Sequence, residues 1–91
     1  MFMLDITVDR EYELAYVVLG SGEFKQTLCI NNSLNVDIDS SDQVIGVEFL
    51  SFNQLSYSVD GLLHDYPDLT KDVLESIVSA QEMLLARISL F

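Results

Sequence analysis

The chain has 91 residues, of which 49 % are hydrophobic, and fifteen acidic against four basic residues give it a formal net charge of −11. This length suits one domain over residues 1–91, too small to form an extensive core. The negative charge argues against direct binding to nucleic acid or to an anionic membrane, because both would be repelled, and it favours a basic protein as partner.

The start of the chain, MFMLDITVDREYE, lacks the basic residues and the long apolar run of a signal peptide. No stretch approaches the length of a membrane span. The single cysteine, Cys29, cannot form an internal disulfide, and no cluster of Cys and His has zinc spacing. We therefore expect a cytoplasmic protein without a cofactor, in which Cys29 is a small filler residue of a strand.

The first half of the chain, residues 1–50, consists of short apolar runs rich in Val, Ile, Tyr and Phe. Runs of this length predict strands rather than helices, and turn residues separate them. The predicted strands lie near residues 2–8, 14–19, 24–30, 33–39 and 43–50.

The turns GSG at 20–22, NNS at 31–33 and SSD at 40–42 suit consecutive hairpins, with Asn tolerating a positive φ. They predict an antiparallel β-meander of four to five strands. The run LAYVVL is apolar on both faces, so we expect it to be a central strand.

The fourth and fifth predicted strands have a definable register, because a four-residue loop over 40–43 would join them. The segment SLNVDID alternates between apolar and polar residues, so one face is apolar and the other polar. This register pairs Leu34 with Phe49, Val36 with Val47 and Ile38 with Ile45 on one face, and Asn35 with Glu48 and Asp37 with Gly46 on the other.

From Thr70 onward the apolar period changes to three or four residues, without internal Gly or Pro. This pattern predicts a helix over 70–91, which Thr70 would cap and which a contact between Leu69 and Leu74 would fix. The connection over 51–69 gives mixed signals and is expected to be partly helical. The fold class is therefore α+β, with the meander packed against one long C-terminal helix through Val73, Ile77, Ala80, Leu84, Ile88 and Phe91.

A second apolar stripe, formed by Leu74, Val78 and Leu85, lies beside the first stripe of this helix. Together they are wider than one contact with a sheet requires. Either the connection over 51–66 folds back over the second stripe, or a second subunit or a partner covers it. We expect a homodimer that uses these three residues.

Two segments, VDREYELAYVVL at 8–19 and TLCINNSLNVDIDSSDQVIGVEFL at 27–50, are similar to a known bacterial family. They resemble the domain of unknown function 2283, whose members typically read YDPEADALYIRL and then VNVDLDEDGRVVGIEIL. The matching positions are Asp9, Glu11, Tyr16, Asn35, Asp37, Asp39, Gly46 and Glu48.

The chain departs from this family at Arg10, where proline is usual, at Asp42, where glycine is usual, and in the NNS turn. These positions lie in turns, so they affect turn geometry rather than the identity of the strands. The resemblance implies a small β-sheet domain without an established activity. Some family members are encoded near toxin-like proteins, which implies an antitoxin role.

The segment DIDSSDQVIGVE, residues 37–48, has nearly the spacing of a helix–loop–helix calcium site. That site requires flanking helices and a glycine at its sixth position, whereas predicted strands flank this segment and Asp42 occupies the glycine position. We therefore assign no metal site, and Asp37, Asp39 and Glu48 remain the ligands of a divalent-cation or enzymatic alternative. His64, the single histidine, belongs to no nucleophile motif and is expected on the surface.

The function that these observations favour is that of a non-enzymatic acidic module that binds a basic protein, as an inhibitor or antitoxin. The alternative is a phage-encoded nucleic-acid mimic, or anti-defence protein of the anti-CRISPR kind, which would block a DNA- or RNA-binding protein. In both, several carboxylates on one face would repel one another until a cationic surface covers them. The candidate residues are Asp37, Asp39, Asp42 and Glu48, joined by Glu11 and Glu13 if their turn lies at the same end of the sheet.

Overall fold

The structure is a computed structural model that describes residues 5–52 and 55–89. It confirms the α+β fold, with a five-stranded antiparallel sheet followed by two helices. The elements are β1 (Ile6–Asp9), β2 (Leu14–Val18), β3 (Phe24–Asn31), β4 (Leu34–Asp39), β5 (Val44–Phe49), α1 (Val59–Asp65) and α2 (Lys71–Ile88).

The order of strands in the sheet is β1-β2-β5-β4-β3, so the predicted hairpin at 20–22 is wrong. Strand β2 pairs with β1 and β5. The connection over residues 19–23 then carries the chain across the sheet to its far edge, where β3 begins. The amides of Leu19 and Gly20 both donate to the carbonyl of Ile45, which keeps the end of β2 beside β5. As predicted for a strand that is apolar on both faces, β2 has a neighbour on each side.

The register of β4 and β5 is confirmed at four of its five predicted pairs. The exception is Ile38, which lies opposite Val44 rather than Ile45, because β5 contains one extra residue at this point. Ile45 is that residue, and it forms a β-bulge. A bulge cannot be read from alternation, since both Val44 and Ile45 are apolar.

The helix α2 packs across β5 and β2 and buries one face of the sheet, which we call the inner face. Thr70 caps it as predicted, since its Oγ1 accepts a hydrogen bond from the amide of Val73 at 3.3 Å. Neither helix of the described residues is long and apolar enough to cross a bilayer. The core consists of Ala15, Val17, Leu34, Val36, Ile38, Val47, Phe49, Leu62, Val73, Leu74, Ile77, Ala80 and Leu84.

The connection between sheet and α2 folds back onto that helix. The backbone amide of Tyr57 donates to Oε1 of Gln81 at 2.7 Å, and Nε2 of Gln81 donates to the carbonyl of Tyr57 at 2.8 Å. Helix α1 also packs on α2, and Leu74 is only 1 % exposed. Of the second stripe, only Leu85, at 43 % exposure, and the half-buried Val78 remain accessible, and the predicted helix residue Phe91 lies outside the described residues.

Candidate functional site

The sheet face opposite α2, which we call the outer face, is formed by the side chains that alternate with the core. Directly opposed residues share a face, so the strand register defines a row that crosses all five strands. That row consists of Thr7, Tyr16, Glu48, Asn35 and Cys29. A neighbouring row contains Val18, Gly46, Asp37 and Thr27.

Asp37 lies at the centre of a hydrogen-bond network on the outer face. Its Oδ2 accepts from the hydroxyl of Tyr16 at 2.6 Å, and its Oδ1 accepts from the hydroxyl of Thr27 at 2.6 Å. These donors come from β2 and β3, which lie on opposite sides of the β5–β4 pair. The network therefore joins the two parts of the sheet and fixes the orientation of the carboxylate.

Tyr16 reaches Asp37 by extending diagonally across β5, directly over Gly46. A Cβ atom at position 46 would collide with the Tyr16 ring and hydroxyl, so this site requires glycine. Burial, the hydrogen bond to Asp37 and the negative charges of Asp37 and Glu48 raise the pKa of Tyr16 well above its ordinary value. The raised pKa extends the pH range over which the phenol stays protonated and donates to Asp37.

Glu48 is held by a neutral neighbour, because Nδ2 of Asn35 donates to its Oε1 at 3.0 Å. Beside Glu48 the outer face contains a shallow cavity of about 220 Å³. The cavity is open because Tyr16 leans away from β1 toward Asp37. It is lined by Thr7, Asp9, Leu14, Ala15, Tyr16 and Glu48.

The other two acidic residues of the 37–48 segment have structural positions in the hairpin. Asp39 is only 8 % exposed, lies against Gly22, and its Oδ1 accepts from the amides of Ser41 and Gln43 at 2.8 and 2.9 Å. Asp42 adopts a left-handed conformation, with a φ of 63°. Glycine adopts this conformation most easily, which agrees with the glycine that is usual at this turn position. Asp42 is exposed and accepts a hydrogen bond from Nζ of Lys25 at 2.9 Å.

The condition on which Glu11 and Glu13 would join this surface is not met. Their turn connects β1 to β2 at Leu14, beside the end of β5, where the amide of Phe52 bonds to the carbonyl of Glu13. The turn that contains Asp42 lies at the opposite end of β5. The two turns lie at opposite ends of the sheet because they precede β2 and β5, which are antiparallel neighbours.

The geometry argues against the metal site on Asp37, Asp39 and Glu48. Strands flank the loop, so the helix–loop–helix frame is absent, and Asp39 is buried with its Oδ1 bonded to amides of its own turn. Over residues 5–52 and 55–89, no three Asp, Glu, His or Cys side chains gather in a way that would hold a metal ion. His64 is exposed on α1, where it contacts the neighbouring Asp65 at 3.2 Å.

Sequence reasoning missed Thr27 and assigned Cys29 incorrectly. Cys29 is exposed rather than a filler, because it lies on the outer face of the edge strand β3. Thr27 lies directly opposite Asp37, so a predicted register for β3 and β4 would have identified it. Tyr16 and Asn35 were recognised as matching positions of the resemblance, but their contacts with Asp37 and Glu48 depend on the fold.

A family model described as Protein of unknown function (DUF2283) matches residues 5–53, which is more than half of the chain. The chain belongs to this family, as the resemblance predicted. The matched segment contains all five strands and therefore the outer face, whereas α1 and α2 follow it. No curated protein and no solved structure shows significant similarity to the chain.

Proposed function

We propose that this member of the DUF2283 family is a non-enzymatic binding module whose outer face holds a basic protein partner. The observation that carries the proposal is the network on that face. Within the described residues, hydroxyl and amide groups donate hydrogen bonds to Asp37 and Glu48 and orient their carboxylates. A face of this kind is already ordered before a partner arrives.

The distribution of basic residues supports this proposal. In the described part of the chain, lysine ion pairs form at Asp42 in the β4–β5 loop and at Glu75 on α2. Every hydrogen bond that the described residues make to Asp37 and Glu48 comes from a neutral group. Lysine or arginine side chains of a partner would add charged donors to carboxylates whose hydrogen bonds within the described residues come from neutral groups.

The rigidity of the outer face also favours binding. Both oxygens of Asp37 and one oxygen of Glu48 are already engaged, so these side chains lose little conformational freedom when a partner binds. The hydrogen bonds leave further lone pairs on the same oxygens, since an ionised carboxylate can accept about four hydrogen bonds. The face therefore combines fixed geometry with remaining acceptor capacity.

The test is capture of proteins from the native host at several salt concentrations, with the wild type and with Asp37→Asn/Glu48→Gln. The matched control is Asp60→Asn/Glu82→Gln, which removes the same charge at exposed positions of α1 and α2. We expect a basic protein that binds the wild type and the control but not the outer-face variant. The amount of this protein that stays bound should fall steeply as the salt concentration rises.

The proposal is wrong if the captured protein is acidic or if its binding survives the outer-face double substitution. The identity of a basic partner also distinguishes the antitoxin from the nucleic-acid mimic. A toxin would indicate an antitoxin, whereas a DNA- or RNA-binding protein would indicate a nucleic-acid mimic. In either case the same carboxylates would occupy the partner's basic site.

A further inference from the structure

We infer that the cavity beside Glu48 is an anchor site for one arginine side chain of the partner, an inference that rests on the proposed function. The cavity lies on the outer face, over the first three strands of the sheet order, β1, β2 and β5. Its volume of about 220 Å³ is below the roughly 300–1,000 Å³ of pockets for small molecules. It therefore suits a single side chain.

The cavity exists because of three linked features of the sheet. Gly46 has no side chain, so the Tyr16 ring can lie across β5, and Asp37 holds the phenol there. With Tyr16 inclined toward β4, the surface above Ala15 is left open, between Thr7 on β1 and Glu48 on β5. The site is therefore built by the same contacts that order the outer face.

The lining of the cavity matches the two parts of an arginine side chain. Leu14 and the ring of Tyr16 offer apolar surface to the aliphatic stem, and Ala15, whose side chain lies in the core, contributes only its backbone. Asp9 and Glu48 contribute carboxylates at the rim, and one oxygen of each already has a fixed donor. Oδ1 of Asp9 accepts from the amides of Glu11 and Tyr12, and Oε1 of Glu48 accepts from Asn35.

Arginine fits this lining better than lysine does. The guanidinium group is planar, so it can stack on the Tyr16 ring while its several N–H groups address both carboxylates. An ammonium group is a compact charge that lacks this planar fork. We therefore expect the cavity to distinguish two partner residues of equal charge.

The test uses nuclear magnetic resonance titrations of the full chain with acetyl-Gly-Arg-Gly-amide and acetyl-Gly-Lys-Gly-amide at low salt. We expect the arginine peptide to shift the backbone amides of Thr7, Ala15 and Glu48 and to bind about fivefold more tightly than the lysine peptide. Asp9→Asn and Glu48→Gln should each weaken this binding. Both retain the oxygen that accepts the existing hydrogen bond, so the local structure should persist.

The matched control is Glu82→Gln, an exposed carboxylate of α2 whose loss should leave the titration unchanged. If both peptides bind the outer face equally, or if the shifts centre on Asp37, the arginine site is wrong while the proposed function stands. If neither peptide shifts the outer face, the arginine site is wrong, and the capture experiment decides the proposed function separately. If Glu82→Gln weakens binding as much as Glu48→Gln does, the attraction is only that of net charge and the arginine site is again wrong.

Discussion

The two faces of the sheet are built from the same strands by different interactions. The inner face consists of apolar pairs, among which Val17, Leu34, Val36, Val47 and Phe49 are fully buried in the core. The outer face consists of hydroxyl, amide and carboxylate groups that bond across strands. The inner face holds the domain together through non-directional burial, whereas the outer face depends on exact donor and acceptor positions. Substitutions should therefore affect stability most on the inner face and binding most on the outer face.

The largest expected effect comes from shortening a fully buried inner-face side chain. Phe49→Ala should lower the free energy of unfolding by about 3–5 kcal/mol, because it removes buried apolar surface and leaves a cavity. Chemical denaturation measures this change. Leu63→Ala, at an exposed position of α1, is the control and should cost well below ~1 kcal/mol. Equal losses for the two variants would contradict the assignment of the core.

The second effect links the two faces at Gly46. Gly46→Ala should lower the free energy of unfolding by about 1–3 kcal/mol, because Tyr16 must leave β5 and its bond to Asp37 is lost. In a Tyr16→Leu background the same substitution should cost less, since the clash is gone. A double-mutant cycle measures this coupling. Independent, additive effects would mean that the Tyr16 ring does not lie over Gly46.

A third prediction concerns alkaline pH. Folding favours the protonated phenol of Tyr16, because its pKa is higher in the folded chain than in the unfolded chain. This contribution to stability is present below the unfolded pKa, near 10, and is lost as pH rises from there toward the folded pKa. Tyr16→Phe should therefore unfold with a weaker pH dependence above about pH 10. Identical alkaline unfolding curves would contradict the burial of this hydroxyl.

Tyr16→Phe also tests the outer face at neutral pH. It leaves one oxygen of Asp37 without the phenol donor and should cost about 1–2 kcal/mol in thermal or chemical unfolding. Thr27→Val, which removes the other hydroxyl from a more exposed position, should cost less.

A smaller effect is expected in the β4–β5 turn. Asp42→Gly relieves a left-handed conformation, worth about 1 kcal/mol, but removes an exposed ion pair with Lys25, worth about 0.2–1 kcal/mol. The net change in melting temperature should therefore be small. Asp42→Ala loses the ion pair without relieving the backbone, so it should be clearly less stable than Asp42→Gly. Equal stability of the two variants would contradict the left-handed conformation.

The smallest expected effect on folding is that of Leu85→Asp on the exposed surface of α2. This substitution should instead convert a homodimer into a monomer, because we expect Leu85 and Val78 to contribute to the dimer interface. Light scattering should give the dimeric mass for the wild type and the monomeric mass for the variant. A wild type that remains monomeric at micromolar concentration would refute the dimer.

Sequence periodicity predicted the strands, the capped helix α2 and most of the β4–β5 register, because these depend on neighbours along the chain. The order of the strands could not be predicted in the same way. The GSG segment has the composition of a hairpin turn, yet it forms a crossing connection, since β2 gains a second neighbour by pairing with β5. The bulge at Ile45 was equally inaccessible, because two successive apolar residues fit either register.

By itself the sequence determined the fold class, the inner-face pairs such as Val36 with Val47, and an acidic charge that favours a basic partner. Alternation, capping and net charge are properties of residues close together in the chain or summed over it. Only the tertiary structure decided which carboxylates lie together on one face of the sheet. It buried Asp39, separated Glu11 and Glu13 from Asp42, and joined Asp37 on β4 to Tyr16 on β2, a strand that is not consecutive with it. Hydrogen bonds between strands depend on strand order and register, which local periodicity does not contain.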